Sequence, residues 1–238
     1  MALAGVAAIA TADAAAGAEE QERLKFSVSR AQTVGFSLDS SSPWSTARVF
    51  LTLPAGTAWN GRRFPRCSIR MLNDRRKVDA DGVSSKCPRG SRVGSGHATI
   101  VHENPSLTIP ERIRVTVVNG GPTVHLVMFG SFDVTADGRR LRGKRSVVWR
   151  GRPPTQGQVT AWVPVSAPIE LPSDDAARLA HLDLKIGNTR RTRGILELPR
   201  CKQGRWRAIA TIRYRDLHDF EDESRGAGQA TDSVRCRA

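Results

Sequence analysis

The sequence predicts an all-β chain, an antiparallel β-sandwich with one or two short helical turns and two disulfides. Three observations carry that prediction: short period-two segments, turn residues every 8–12 positions, and four dispersed cysteines. In LKFSVSR (24–30) Leu24, Phe26 and Val28 alternate with Lys25, Ser27 and Ser29, the spacing of a strand with one buried face. ARVFLTLP (47–54) places Val49, Leu51 and Leu53 on one face and stops at Pro54. ERIRVTVVN (111–119) sets Ile113, Val115 and Val117 against Arg112, Arg114 and Thr116. Asn119-Gly120-Gly121-Pro122 then reads as a hairpin turn into PTVHLVMFGSFDV (122–134), and Asp137-Gly138 as another into the strand at 145–151. Further strands are expected at 158–165, 181–187, 194–199, 206–215 and 232–236. Two stretches look helical. SIRMLNDRRK (68–77) spaces Ile69 and Leu72 by three, and SDDAARLAHL (173–182) offers Ser173 as an N-cap with two Asp in the first turn.

With 238 residues the chain is long enough for one large β domain or two small ones. Residues 1–18, MALAGVAAIATADAAAGA, have the apolar core and small-residue cleavage sites of a secretory leader. No Lys or Arg precedes that run, so the expectation is a leader whose basic start lies upstream; an Ala-rich tail is the alternative. Residues 19–238 are then expected to form a single sandwich module. Phe64-Pro65-Arg66-Cys67 and Leu198-Pro199-Arg200-Cys201 echo one another, as two related halves would. Their surroundings do not keep matching offsets, so chance explains the echo equally well.

Cys67, Cys87, Cys201 and Cys236 are even in number and too far apart for the close ligand pairs of zinc sites. Three pairings are possible, and proximity along the chain favours Cys67–Cys87 with Cys201–Cys236. Disulfides persist outside the cytosol, so the cysteines and the leader agree on an exported or envelope protein. Past residue 20 no apolar run reaches the roughly 20 residues of a membrane-spanning helix.

The stretch LPAGTAWNGRRFPRC, a short helix, and then KCPRGSRVGSGHATI resembles a recurrent element of uncharacterised secreted, disulfide-bonded β-sandwich proteins of high-GC bacteria. In these a strand ending in Leu-Pro leads to Pro-x-Cys, and Cys-Pro-x-Gly-Ser-x-x-Gly-x-Gly opens the next strand. The closing Cys201, Trp206 and Cys236 are similar to the end of the same proteins. The resemblance covers most of the chain past residue 18. It implies export, turn geometry and disulfides, and it assigns no chemistry.

Local catalytic signatures are missing. Gly90-Ser91-Arg92-Val93-Gly94-Ser95-Gly96 has neither the spacing of a nucleophile elbow nor the ending of a phosphate loop, and it reads as a glycine-rich bend leading into a strand. His97 and His102, five apart on a strand, face opposite ways. His125 alternates with Val124 and Leu126, and His181 and His218 are isolated. Asp216, Asp219, Glu221 and Asp222 offer hard oxygen ligands for a cation such as Ca²⁺ but lack the glycine of an EF-hand. A solvated loop inside the second disulfide accounts for them equally. Asp79-Ala80-Asp81-Gly82 raises the same question with a stronger turn signal. No cofactor is expected.

Net charge is +14, from 37 Lys and Arg against 23 Asp and Glu, and 31 of the 37 are Arg. A GC-rich genome produces that bias by codon usage, yet the charge is physical and attracts polyanions. The clusters are Arg62, Arg63, Arg66 and Arg70; Arg75, Arg76 and Lys77; Arg139, Arg140, Arg142, Lys144 and Arg145; and Arg190, Arg191 and Arg193. Aromatics are only 5% of the chain, too few for base stacking, and the five Trp are expected to fill the core. With export, this points away from nucleic acid and toward an anionic polymer of the cell envelope. The expected function is therefore a non-enzymatic extracytoplasmic binding or structural protein. The alternative is a secreted hydrolase of envelope carbohydrate or lipid built from scattered carboxylates.

Overall fold

The computed structural model describes residues 22–29, 33–74, 76–104, 107–136, 139–150, 158–162, 176–187, 190–201, 204–215 and 226–236. The leader expected at 1–18 and the acidic stretch from Asp216 to Glu223 lie outside these residues. Among them the chain runs through β1 (Glu22–Val28), β2 (Val34–Ser40), β3 (Ser45–Thr52), β4 (Ala58–Trp59), α1 (Ile69–Leu72), β5 (Arg92–Asn104), β6 (Leu107–Asn119), β7 (Val124–Ala136), β8 (Arg139–Arg150), β9 (Gln158–Trp162), β10 (Ala176–Ile186), β11 (Leu196–Glu197), β12 (Arg205–Arg215) and β13 (Ala227–Arg235). Three short 3-10 turns, at Gly61–Arg63, Arg89–Ser91 and Arg190–Thr192, complete it.

The strands form a seven-stranded sheet ordered β1-β2-β10-β5-β6-β7-β8, a four-stranded sheet ordered β13-β12-β3-β9, and a β4–β11 ribbon. Every pairing is antiparallel, so the fold is all-β. Both large sheets feed one buried cluster: Phe36, Leu38, Ile113, Val115 and Leu184 from the first, and Val49, Leu51, Ala210 and Ile212 from the second. The alternation in β6 explains its place. Ile113, Val115 and Val117 are fully buried, while Arg112 and Arg114 are exposed on the opposite face. Each buried Val or Ile contributes about 1.5–3 kcal/mol relative to exposure. At one margin β1 lies along β13, where the Phe26 N–H donates to Asp232 Oδ2 at 2.7 Å.

Both disulfides pair as proximity suggests, Cys67–Cys87 and Cys201–Cys236, with Cα separations of 5.1 and 5.7 Å. The first helical expectation holds as a single turn, with Ser68 Oγ accepting from the Met71 N–H. The second is overturned: Ala176–Ile186 is a strand. Leu179 and Leu182, three apart, suggest a helix, but a β-bulge lies between them. Leu179 pairs with Ile100 and His181 with Thr99, so Ala180 is the extra residue and both leucines reach the same core. At this bulge the buried Leu179 N–H donates to Thr46 Oγ1 at 3.0 Å, tying the large sheet to the small one.

Two further corrections concern glycine and serine. The expected bend at 90–96 is mostly strand, because Gly94 and Gly96 lie within β5. A Cβ at Gly96 would stand 1.8 Å from the Asp183 carbonyl oxygen, so glycine there allows β10 to approach. Val34–Ser40 is a strand that Gly35, Ser37 and Ser40 disguise, although Val34, Phe36 and Leu38 are buried with period two. Of the tryptophans, Trp59 and Trp206 pack against the core, whereas Trp44 is 36% exposed. The side chains of Trp149 and Trp162 lie outside the description.

Candidate functional site: an arginine-rich end and a cleft beneath the disulfide loop

The β4–β11 ribbon joins two regions far apart in sequence. Trp59 pairs with Leu196, and Asn60 extends the link: its N–H donates to the Ile195 carbonyl at 2.8 Å and its Nδ2 to the Gly194 carbonyl at 2.9 Å. Arg62 and Arg63 follow Asn60 directly, and Arg193 precedes Gly194. A second clamp is Asn119, fully buried at the end of β6. Its Nδ2 donates to the carbonyls of Gly61, Phe64 and Pro65 at 2.8, 3.3 and 3.0 Å, while its Oδ1 accepts from the Gly121 N–H at 2.9 Å. The Trp59 indole N–H donates to the Gly121 carbonyl at 2.9 Å. Gly61 is obligatory in this knot, since a Cβ would stand 2.1 Å from the Gly121 carbonyl oxygen.

The consequence is electrostatic. Arg62, Arg63 and Arg66 share one end of the molecule with Arg191 and Arg193, all exposed. None of the five has a hydrogen-bond or ion-pair partner among the described residues. Arg89, also exposed, joins them, because Gly90 lies against Pro65. The sequence offers no local sign of Arg89's place, which depends on the Cys67–Cys87 bridge. Glu197, near Gly194, is the neighbouring acid. Arg190 lies in the adjoining 3-10 turn.

The cluster at 139–145 is not brought to this end. Arg139, Arg140, Arg142, Lys144 and Arg145 are the Cα partners of Ala136, Thr135, Asp133, Ser131 and Gly130, near the β7–β8 turn. β7 starts beside the Asn119 turn, and twelve residue steps at about 3.4 Å each put the two ends some 40 Å apart. Arg70, Arg76 and Lys77 are exposed on the first disulfide loop. There Asp74 ion-pairs with Lys86 and Arg76, which hold its carboxyl well below the usual range. Arg75 lies outside the described residues, as do Asp216, Asp219, Glu221 and Asp222.

The disulfide loop covers the outer face of β5–β7 and leaves a cleft of about 740 Å³ lined by Val78, Asp79, Ala80, His97, Arg112, Arg114 and Phe129. The turn at 79–82 forms as expected, with the Gly82 N–H donating to the Asp79 carbonyl at 2.9 Å and Gly82 at φ +77°. Its carboxylates take a guanidinium: Arg92 Nε donates to Asp81 Oδ2 at 2.7 Å and Nη2 to Asp79. Arg114 Nη1 donates to the Ala80 carbonyl at 2.8 Å.

Histidines and acids meet at two other places. His102 Nε2 and Glu111 Oε2 are 3.4 Å apart in the interior, both buried. His181 and Asp39, Cα partners across β10 and β2, bond at 2.6 Å on the surface. A buried polar cluster also ties β1 to β12. Tyr214 donates its hydroxyl proton to Glu22, and Ser40 Oγ lies 3.2 Å from the Tyr214 hydroxyl oxygen. Burial and Glu22 push the Tyr214 hydroxyl up to about 12. Among the described residues no three His, Cys, Asp or Glu gather as a metal site, and no helix is long and apolar enough to cross a membrane. No family model, curated protein or solved structure matches the chain.

Proposed function

We propose that this is a non-enzymatic extracytoplasmic binding or structural protein that associates with anionic polymers of the cell envelope through its arginine-rich end. The observation that carries the reading is the convergence of Arg62, Arg63 and Arg66 with Arg191 and Arg193, none of them ion-paired among the described residues. Like charges brought together cost stability through repulsion, and a bound polyanion relieves it. Guanidinium groups suit carboxylate and phosphate oxygens, which they meet with paired donors. Two disulfides fit an oxidising compartment. Titration against polygalacturonate or poly-glycerol phosphate at several salt concentrations tests the reading. Five such contacts, at about 0.7 released counterions each, give a slope of log affinity on log salt of about −3.5. Weak binding that ignores salt contradicts it.

One observation favours the alternative hydrolase: His97 and Asp79 line the same cleft. Against a general acid–base role, Asp79 is committed to Arg92 and makes no hydrogen bond to His97. Release of reducing ends or of acyl groups from envelope substrates, abolished by His97→Gln, would establish the hydrolase and displace the binding reading.

A further inference from the structure

We propose that the cleft beneath the Cys67–Cys87 loop binds an acidic sugar unit, with its carboxylate or phosphate on Arg112 and its ring against Phe129. The inference rests on the polyanion reading and adds a contact that discriminates between ligands. Arg112 and Arg114 are two apart on β6 and so project from one face. His97 is the Cα partner of Arg114 on one side and Phe129 on the other, which sets an imidazole, a guanidinium and an aromatic ring in a row across three strands. Arg114 is anchored to Ala80, and Asp79 is held by Arg92. Arg112 and His97 line the cleft with exposed side chains and have no partner among the described residues.

The apolar side of the cleft points to the same chemistry. Val78, 40% exposed, is one of two large hydrophobic residues exposed among the described residues, and it lies at this opening beside half-buried Phe129. Apolar walls with a few placed polar groups, in a volume of about 300–1,000 Å³, characterise small-molecule sites. A sugar ring presents C–H groups to such a wall and its anion to the guanidinium. Arg114 lies five residues along β6 from Asn119, about 17 Å from the arginine-rich end. A polymer therefore reaches both places, while a disaccharide reaches one.

The test is calorimetric titration of the oxidised full chain with digalacturonate, glucose 6-phosphate and cellobiose. Binding of an acidic probe but not of cellobiose is expected, and the tighter of the two acids identifies the anion as carboxylate or phosphate. Arg112→Gln should weaken that binding about tenfold, the loss of one charge-assisted hydrogen bond. Arg207→Gln, at an exposed arginine of β12 outside both sites, should leave it unchanged. Equal binding of cellobiose, no binding of either acid, or an Arg112→Gln protein that binds like the parent overturns the proposal. If the acids fail while polymer binding still depends on Arg62 and Arg63, the cleft assignment falls and the polymer reading stands. If polymer binding ignores those arginines while the acids still bind through Arg112, the cleft assignment stands alone.

Discussion

Between Cys67 and Cys87 the chain has one helical turn, one isolated bridge from Val78 to Ser84, and few backbone bonds of its own. The Cys201–Cys236 bridge instead closes the open end of the β12–β13 ladder, which already runs from Arg205↔Arg235 to Arg213↔Ala227. The first loop holds itself down with a small satellite core, Leu72, Val83 and the two cysteines against Val118 and Val127. The second region has a ladder to hold it. A covalent link therefore maintains a surface in one place and reinforces a sheet margin in the other. The surface it maintains is the roof of the cleft.

Cutting each bridge in turn should expose this difference. Loop closure in the unfolded chain makes each worth about 3–4 kcal/mol, so the Cys67→Ser/Cys87→Ser and Cys201→Ser/Cys236→Ser pairs should lose similar global stability in urea. Locally they should part. The first should leave residues 68–86 open to protease, and the second should keep the Ala208–Ile212 amides protected from exchange. Equal local damage in both variants would break the comparison.

Two glycines with positive φ sharpen it. At Gly82, φ +77°, a Cβ would stand 2.6 Å from Phe129 Cβ, so Gly82→Ala should cost on the order of 1–3 kcal/mol from strain and overlap together. At Gly204, φ +70°, nothing lies within 4 Å, and Gly204→Ala should cost only about 1 kcal/mol of backbone strain. Denaturant midpoints measure both.

Titration separates the regions by pH. Tyr214 on β12 has its hydroxyl raised to about 12, so the folded state keeps a proton that the unfolded state has released above about 10. Stability should therefore fall as pH rises from about 10 to 12, by on the order of 2 kcal/mol, and Tyr214→Phe should flatten that fall. On the first loop the sign reverses. Asp74 is held ionised chiefly by Lys86, then by Arg76, so its small support is present above the ordinary carboxylate range. It should be lost as pH falls through and below about 4, a change read at the loop by hydrogen exchange.

The sequence made the core legible where strands alternate without interruption, as in β6 and β12. It hid β2 behind serine and glycine, and it made β10 look helical because a bulge turns a period of two into a spacing of three. Both arginine groups of the basic end were visible as runs of charge. Their meeting was not, since it depends on Asn60 and Asn119, single polar residues that bond across 134 and 54–58 positions. His97, Arg112 and Arg114 read as the polar side of ordinary strands, and only the loop folded over them makes a cleft.

The central claim is that two arginine groups distant in sequence act as one polyanion site. It is tested by polygalacturonate affinity for the parent, Arg62→Gln/Arg63→Gln, Arg191→Gln/Arg193→Gln and the fourfold variant, each at 50 and 200 mM salt. These exposed substitutions should leave folding stability within about 0.5 kcal/mol, so affinity is the readout. The account predicts that either pair weakens binding and shallows the salt slope by about 1.4, and that the fourfold variant shallows it by about twice that. Four proteins with the same affinity and the same slope would contradict it.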